Sequence, residues 1–250
     1  FIPIEREVYI INKYFIGRTN WDKAYMMSIN PEAIYFHGEE LLRNEFYNKK
    51  WDIDKCERYR IFISSAVYPL KGLHILMKAV ALLKKDYPQV KIVAPLAEFD
   101  SMSVQLKDYL KSLVRKLGIE GNVIFRKKLS ASEMVDEYCK AHVFVLPSFI
   151  ENSPNALGES MSTGVPSVVS FVGGVPYIVE DNKSTQMFTA GDHMYLAYQL
   201  KRIFSDDELA KRISIEAQII AAKRHDKVLV RDQYMQICRN NLIYSVSKNE

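Results

Sequence analysis

Residues 148–176 read SFIENSPNALGESMSTGVPSVVSFVGGVP, and this stretch decides the fold. Just ahead of it the apolar run Val143-Phe144-Val145-Leu146 reads as a strand that stops at Pro147. A polar loop follows, with Glu151, Asn152, Ser153, Pro154 and Asn155. A helix then opens, carries Glu159 and ends at Gly164, a residue suited to the left-handed turn that closes helices. A second apolar strand, Val165 to Ser170, leads into Gly173-Gly174. Strand, turn, helix, strand is the βαβ unit of an open parallel sheet, and such sheets bind ligands beyond the carboxyl ends of their strands.

That layout makes the loop and helix start a candidate site. The backbone amides of Asn155, Ala156 and Leu157 lack intrahelical acceptors and are expected to face the crevice. Unpaired amides and the helix dipole together favour an anion such as a diphosphate. Glu151 sits in the loop and Glu159 in the helix (159 − 151 = 8 positions). With residues 154–163 helical, both border one pocket at different depths. Carboxylates there are best used as acceptors for hydroxyls of a sugar or ribose. The bland alternative makes Glu151 a helix cap and Glu159 a solvated side chain.

At these residues the chain resembles the family-4 (group 1) retaining nucleotide-sugar glycosyltransferases, which have the GT-B fold. The match is to their E-x7-E motif, Glu151 to Glu159, embedded in ENSPNALGE and followed by GVP and GGVP. E-x7-E alone is weak, since any glutamate-rich helix supplies it; its setting between two buried strands makes it specific. The resemblance implies an α/β fold: a Rossmann-like parallel sheet flanked by helices, one half of a GT-B fold. It implies a nucleoside diphosphate sugar as donor substrate, no cofactor and no metal. It makes Glu151 the catalytic candidate. The substrate-binding candidates are Lys71, Ser153, Pro154, Asn155, Ala156, Leu157, Glu159, Gly173 and Gly174.

Lys71 comes from a second strand-turn-helix. Tyr59 to Ser65 is an apolar strand, Tyr68 to Gly72 a turn, and Leu73 to Leu83 has helical apolar spacing. A lysine at that turn can reach phosphates as a point charge. In the resembled family the turn also carries an arginine; here Ala66 stands in its place. Other departures are Pro95-Leu96-Ala97 where glycines are usual, the basic run Arg126-Lys127-Lys128, read as solvated, and Tyr177 where relatives often have an acid.

Gly17 to Asp22 (GRTNWD) also resembles a stretch of these enzymes that closes their N-terminal, acceptor-side half. Residues 1–40 are accordingly expected to be a remnant of that half, with Arg18 bordering the interdomain cleft. Residues 41–58 read as a linker too apolar for a free tether, with Leu41, Leu42, Phe46, Tyr47 and Trp51 packing on the second domain. Residues 59–224 are the expected donor-binding domain, and residues 225–250 a helix that crosses back. The chain begins at Phe1 rather than Met, and the expectation is of a piece lacking its N-terminal part.

Composition narrows the classes. The chain has 250 residues, 48% hydrophobic and 26% charged, ordinary for a globular protein. The net charge of +4 suits an anionic small ligand, and no nucleic-acid-binding pattern is present. Cys56, Cys139 and Cys238 share no metal or disulfide spacing, which makes a reducing cytoplasm the default. No apolar run approaches the roughly 18 residues of a membrane span. A peripheral membrane contact is expected on the basic balance alone. The family resemblance, not the composition, implies a sugar, polysaccharide or glycolipid acceptor, with front-face transfer and retention. The rival readings are a non-catalytic nucleotide-sugar binding module and another GT-B enzyme such as a nucleotide-sugar epimerase. A dehydrogenase is disfavoured, because no G-x-G-x-x-G follows a predicted strand.

Overall fold

A computed structural model describes the backbone of residues 3–66, 68–95 and 104–246. The expectation for Leu96 and Ala97 lies outside the described residues. The chain opens with α1 (Pro3–Ile11), β1 (Tyr14–Gly17), α2 (Asn20–Ile29) and β2 (Ile34–His37), and β1 and β2 pair in parallel. Helix α2 starts where the sequence sets it. Thr19 Oγ1 accepts from the Asp22 amide at 3.2 Å, and the Asp22 carboxylate accepts from the Thr19 amide at 3.3 Å, a reciprocal capping box.

The larger sheet holds β3 (Glu57–Phe62), β4 (Lys91–Pro95), β5 (Val123–Arg126), β6 (Ala141–Leu146), β7 (Ser167–Ser170) and β8 (Gln186–Phe188). All its neighbours are parallel, in the order β5-β4-β3-β6-β7-β8. Strand β6 is buried at every position, which is why Val143 to Leu146 read as a continuous apolar run rather than an alternating one. On one face α3 (Leu73–Leu83) packs with α4 (Val104–Leu117) and α7 (His193–Ser205). On the other, α6 (Asn155–Thr163) packs with α5 (Ala131–Lys140) and α8 (Asp207–Arg224). Phe46, Phe62, Tyr138 and Phe144 meet edge-on or tilted beneath that second layer and are fully buried. Rings buried to this degree contribute roughly 2–3 kcal/mol each.

The strand order positions the site. From β3 the chain builds outward to β4 and β5, then returns to lay β6 on the other side of β3. The direction therefore reverses between β3 and β6, and the loops leaving their carboxyl ends splay apart to open a crevice.

Two connecting segments complete the picture. Leu42, Phe46, Trp51 and Ile53 are buried in the main core, and the Trp51 indole donates to the Ala141 carbonyl at 2.8 Å. Tyr47 packs against that core, whereas Leu41 is exposed, contrary to the expectation that it packs with its neighbours. The last helix, α9 (Lys227–Val246), reaches the first unit: the Glu39 amide donates to the Gln233 side chain at 2.9 Å. Its Val228, Leu229 and Met235 are exposed.

Candidate functional site

A cleft of about 370 Å³ lies at the switch point between β3 and β6. Its walls are Ile63, Ser64 and Ser65 after β3 and Leu146, Pro147 and Ser148 at the end of β6. Its mouth is formed by Arg18, Lys71, Glu151 and the run Ser153 to Ala156. Six of the ten sequence-predicted residues thus meet here: Lys71, Glu151, Ser153, Pro154, Asn155 and Ala156.

Lys71 is delivered by a single 3-10 turn, Pro69–Lys71, that ends at Gly72 with φ +73. A Cβ at Gly72 would sit 1.9 Å from the Pro147 carbonyl oxygen, so glycine alone lets this turn lie against the end of β6. The Phe149 amide donates to the Leu70 carbonyl at 2.9 Å and ties the two loops together. Lys71 Nζ consequently donates to Glu151 Oε1 at 2.6 Å, and Ser148 Oγ donates to the same oxygen at 2.8 Å. Among the described residues Glu151 Oε2 has no partner, which leaves it open to a hydroxyl.

The start of α6 is open to solvent at Asn155, and Pro154 caps it without a side-chain bond. Of the three amides expected to face a ligand, that of Leu157 donates to the Pro154 carbonyl at 3.0 Å, and its side chain is fully buried. The helix end tightens by one 3-10 bond, and the open pair is Asn155 and Ala156.

Three further candidates also sit away from the cleft. Glu159 is not on its wall. Arg43 donates to Glu159 Oε1 at 2.7 Å and the Tyr138 hydroxyl to Oε2 at 3.2 Å. That hydroxyl also lies 3.1 Å from the Ala156 carbonyl, so Glu159 stands one side chain behind the cleft. Burial pushes the Glu159 carboxyl above its ordinary value, and the bonds from Arg43 and Tyr138 pull it back in part. The sequence expectation that both acids border one pocket is corrected to one acid at the mouth and one behind it. Gly173 and Gly174 brace the loop from its outer side. The Gly174 amide donates to the Glu151 carbonyl at 3.0 Å. A Cβ at Gly173 would fall 2.0 Å from that carbonyl oxygen, and one at Gly174 2.1 Å from the Asn152 carbonyl oxygen.

The loop is also held from the first unit. Asn152 Nδ2 donates to Asp22 Oδ2 at 2.7 Å, and Thr19 Oγ1 donates to Asn152 Oδ1. Burial works to raise the Asp22 carboxyl, but bonds from Tyr35, Asn152 and the Arg18 and Thr19 amides outweigh it and hold the group below the usual range. Sequence reasoning missed Ser64, Ser65, Ser148 and Arg43. The serines carried a signal, small hydroxyls directly after apolar strands, whereas nothing local marks Arg43. Of the basic run, Arg126 is not simply solvated: it lies 3.4 Å from Glu137, a buried carboxylate that also binds Arg60.

A family model described as glycosyl transferases group 1 matches residues 44–219. The D-inositol 3-phosphate glycosyltransferase of Streptomyces bingchenggensis is 32% identical over 150 residues, 59% of this chain and 33% of that protein. The same enzyme of Corynebacterium urealyticum is 32% identical over 140 residues, 56% of this chain and 33% of that one. The chain spans about a third of the length of these curated relatives. Among solved structures, Anabaena HepE in complex with UDP and glucose matches with a TM-score of 0.80 at 21% identity, over 96% of this chain and 67% of that one. Sucrose-phosphate synthase from Thermosynechococcus elongatus matches with a TM-score of 0.84 at 17% identity, over 96% of this chain and 61% of that one. At these identities the structural likeness is one of fold, the α/β architecture of GT-B proteins.

Proposed function

The chain belongs to the group 1 glycosyltransferase family, and on that premise we propose that its cleft binds the donor, a nucleoside diphosphate sugar. The observation that carries this reading is the convergence of Lys71 with the open amides of Asn155 and Ala156 on one cleft at the sheet's switch point. As the glycosidic bond to the diphosphate breaks, negative charge grows on the phosphate oxygens. Fixed amide dipoles and the lysine stabilise that charge where it develops. Glu151 accepts hydroxyls of the transferred sugar through its open Oε2. Glu159, behind the wall, holds Arg43 and Tyr138 and so supports the back of the cleft without touching the nucleotide.

The sugar passes to a hydroxyl of a sugar, polysaccharide or glycolipid acceptor, with retention and without a metal. In this reading residues 1–40 are the donor-facing edge of an acceptor-side domain, residues 41–58 the linker, residues 59–224 the donor domain and residues 225–250 the returning helix. No helix among the described residues is long and apolar enough to cross a membrane. A cytoplasmic, membrane-peripheral site of action fits a glycolipid acceptor.

Calorimetry with UDP, GDP and ADP tests the reading. Saturable binding of one of them, weakened about tenfold in Lys71→Ala, is the expected result. Failure of all three to bind would remove the donor assignment.

A further inference from the structure

The cleft has an electrostatic gap. A nucleoside diphosphate brings about two to three negative charges, and Lys71 is already matched by Glu151 at 2.6 Å. The turn after β3 adds nothing: residues 63–70 contain no lysine or arginine, and Ala66 is buried. The remaining basic side chain on the cleft wall comes from the other unit, and it is Arg18.

Arg18 is well placed for a phosphate. Its Nη1 lies 3.2 Å from Asn155 Oδ1, over the same helix end whose amides face the cleft. Its backbone is fixed, because its own amide donates to Asp22 Oδ2 at 2.9 Å and Asp22 in turn holds Asn152. Among the described residues only Nη1 of the guanidinium is bonded. The other N–H groups remain for a bidentate anion, the geometry in which arginine binds phosphate best. Nη1 is also paired with Glu40, which is itself 45% exposed. Glu40 lines the shallow crevice beside the cleft rather than the cleft itself. Asn155 Nδ2 reaches the same carboxylate at 3.4 Å.

We propose that Arg18 is the second diphosphate-binding cation of this cleft, supplied across the unit boundary and held on Glu40 until a nucleotide takes it over. The inference rests on the donor reading above. Glu40 then acts as an internal competitor for the ligand's phosphates, and this sets an unusual sign. Loss of Arg18 weakens nucleotide binding, while loss of the Glu40 charge strengthens it. A pair with a purely structural role would weaken binding when either partner was changed.

The test is calorimetry of the wild type, Arg18→Gln, Arg18→Lys and Glu40→Gln with UDP, GDP and ADP. For the nucleotide that binds the wild type, Arg18→Gln is expected to weaken affinity about tenfold or more, the scale of one charge-assisted hydrogen bond. Arg18→Lys should fall between it and the wild type, because a point charge replaces a fork. Glu40→Gln should tighten binding several-fold. Wild-type binding with Arg18→Gln unchanged overturns this inference and leaves the donor reading intact. Glu40→Gln weakening binding as much as Arg18→Gln does the same. A wild type that binds none of the three overturns the donor reading, and this inference with it.

Discussion

Glu151 and Glu159 stand at the two ends of one motif, and each meets one cation and one hydroxyl. Their surroundings differ in how the second oxygen is used. The Lys71–Glu151 pair lies at the cleft mouth, with both partners on one oxygen and the other unused among the described residues. In the Arg43–Glu159 pair each oxygen has its own partner, and the second meets a fully buried tyrosine. Both acids are largely buried, 11% and 9% exposed at the side chain, so each keeps a desolvation penalty if its cation leaves. On the donor reading Glu151 has an oxygen left to offer a ligand, whereas Glu159 is fully engaged and shapes the wall behind the cleft.

The largest expected effect breaks the open end alone. Gly173→Ala places a Cβ against the Glu151 carbonyl at a residue with φ +49. It should cost about 3 kcal/mol in denaturant unfolding and abolish nucleotide binding. A change below about 1 kcal/mol would mean that the Glu151 loop is soft, and the contrast between a braced mouth and a rigid back would fail. Glu159→Ala comes next, at about 2 kcal/mol, because it removes a buried acceptor of the Tyr138 hydroxyl and leaves Arg43 without its acid.

Lys71→Ala should change stability by less than Glu159→Ala does, because Ser148 still bonds the Glu151 carboxylate, while weakening diphosphate binding about tenfold. Equal stability losses in Lys71→Ala and Glu159→Ala would erase the distinction between the two ends.

The finest test uses pH. The folded protein holds the Glu159 proton more tightly than the unfolded chain does. Stability from this group is therefore complete below the unfolded carboxyl value and declines as pH rises through the raised folded one. Glu159→Gln should remove that decline, so wild-type and variant melting temperatures diverge as pH rises, with the variant higher. Parallel curves would show that the buried acid does not titrate differently on folding.

The structure also shows what the sequence could carry. The start of α6 and the Lys71 turn were legible, because glycines, prolines and apolar periods act over a few residues. The position of Glu159 behind the cleft was not. It depends on Arg43, 116 positions away, and on Tyr138 rising from the neighbouring helix. Glu137 shows the same limit: it sits on a polar-looking helix yet is buried, because Arg60 crosses from β3 to meet it. The Leu157 amide was misjudged for a local reason, a 3-10 bond at the helix entry that periodicity does not encode. Strand order, and with it the location of the crevice, follows from the crossover between β5 and β6 rather than from any single segment.

That crossover has a consequence for the chain as it emerges from the ribosome. The ties that shape the cleft join residues 80 and 137 positions apart, Lys71 to Glu151 and Arg18 to Asn155. Contacts so distant form late, after the loop entropy between them has been lost. A nascent polypeptide halted before β6 has β3, β4 and β5 but no cleft to offer a nucleotide. On the donor reading, ligand capture would mark synthesis past the start of α6, and bound nucleotide would protect such molecules while leaving shorter ones to proteolysis.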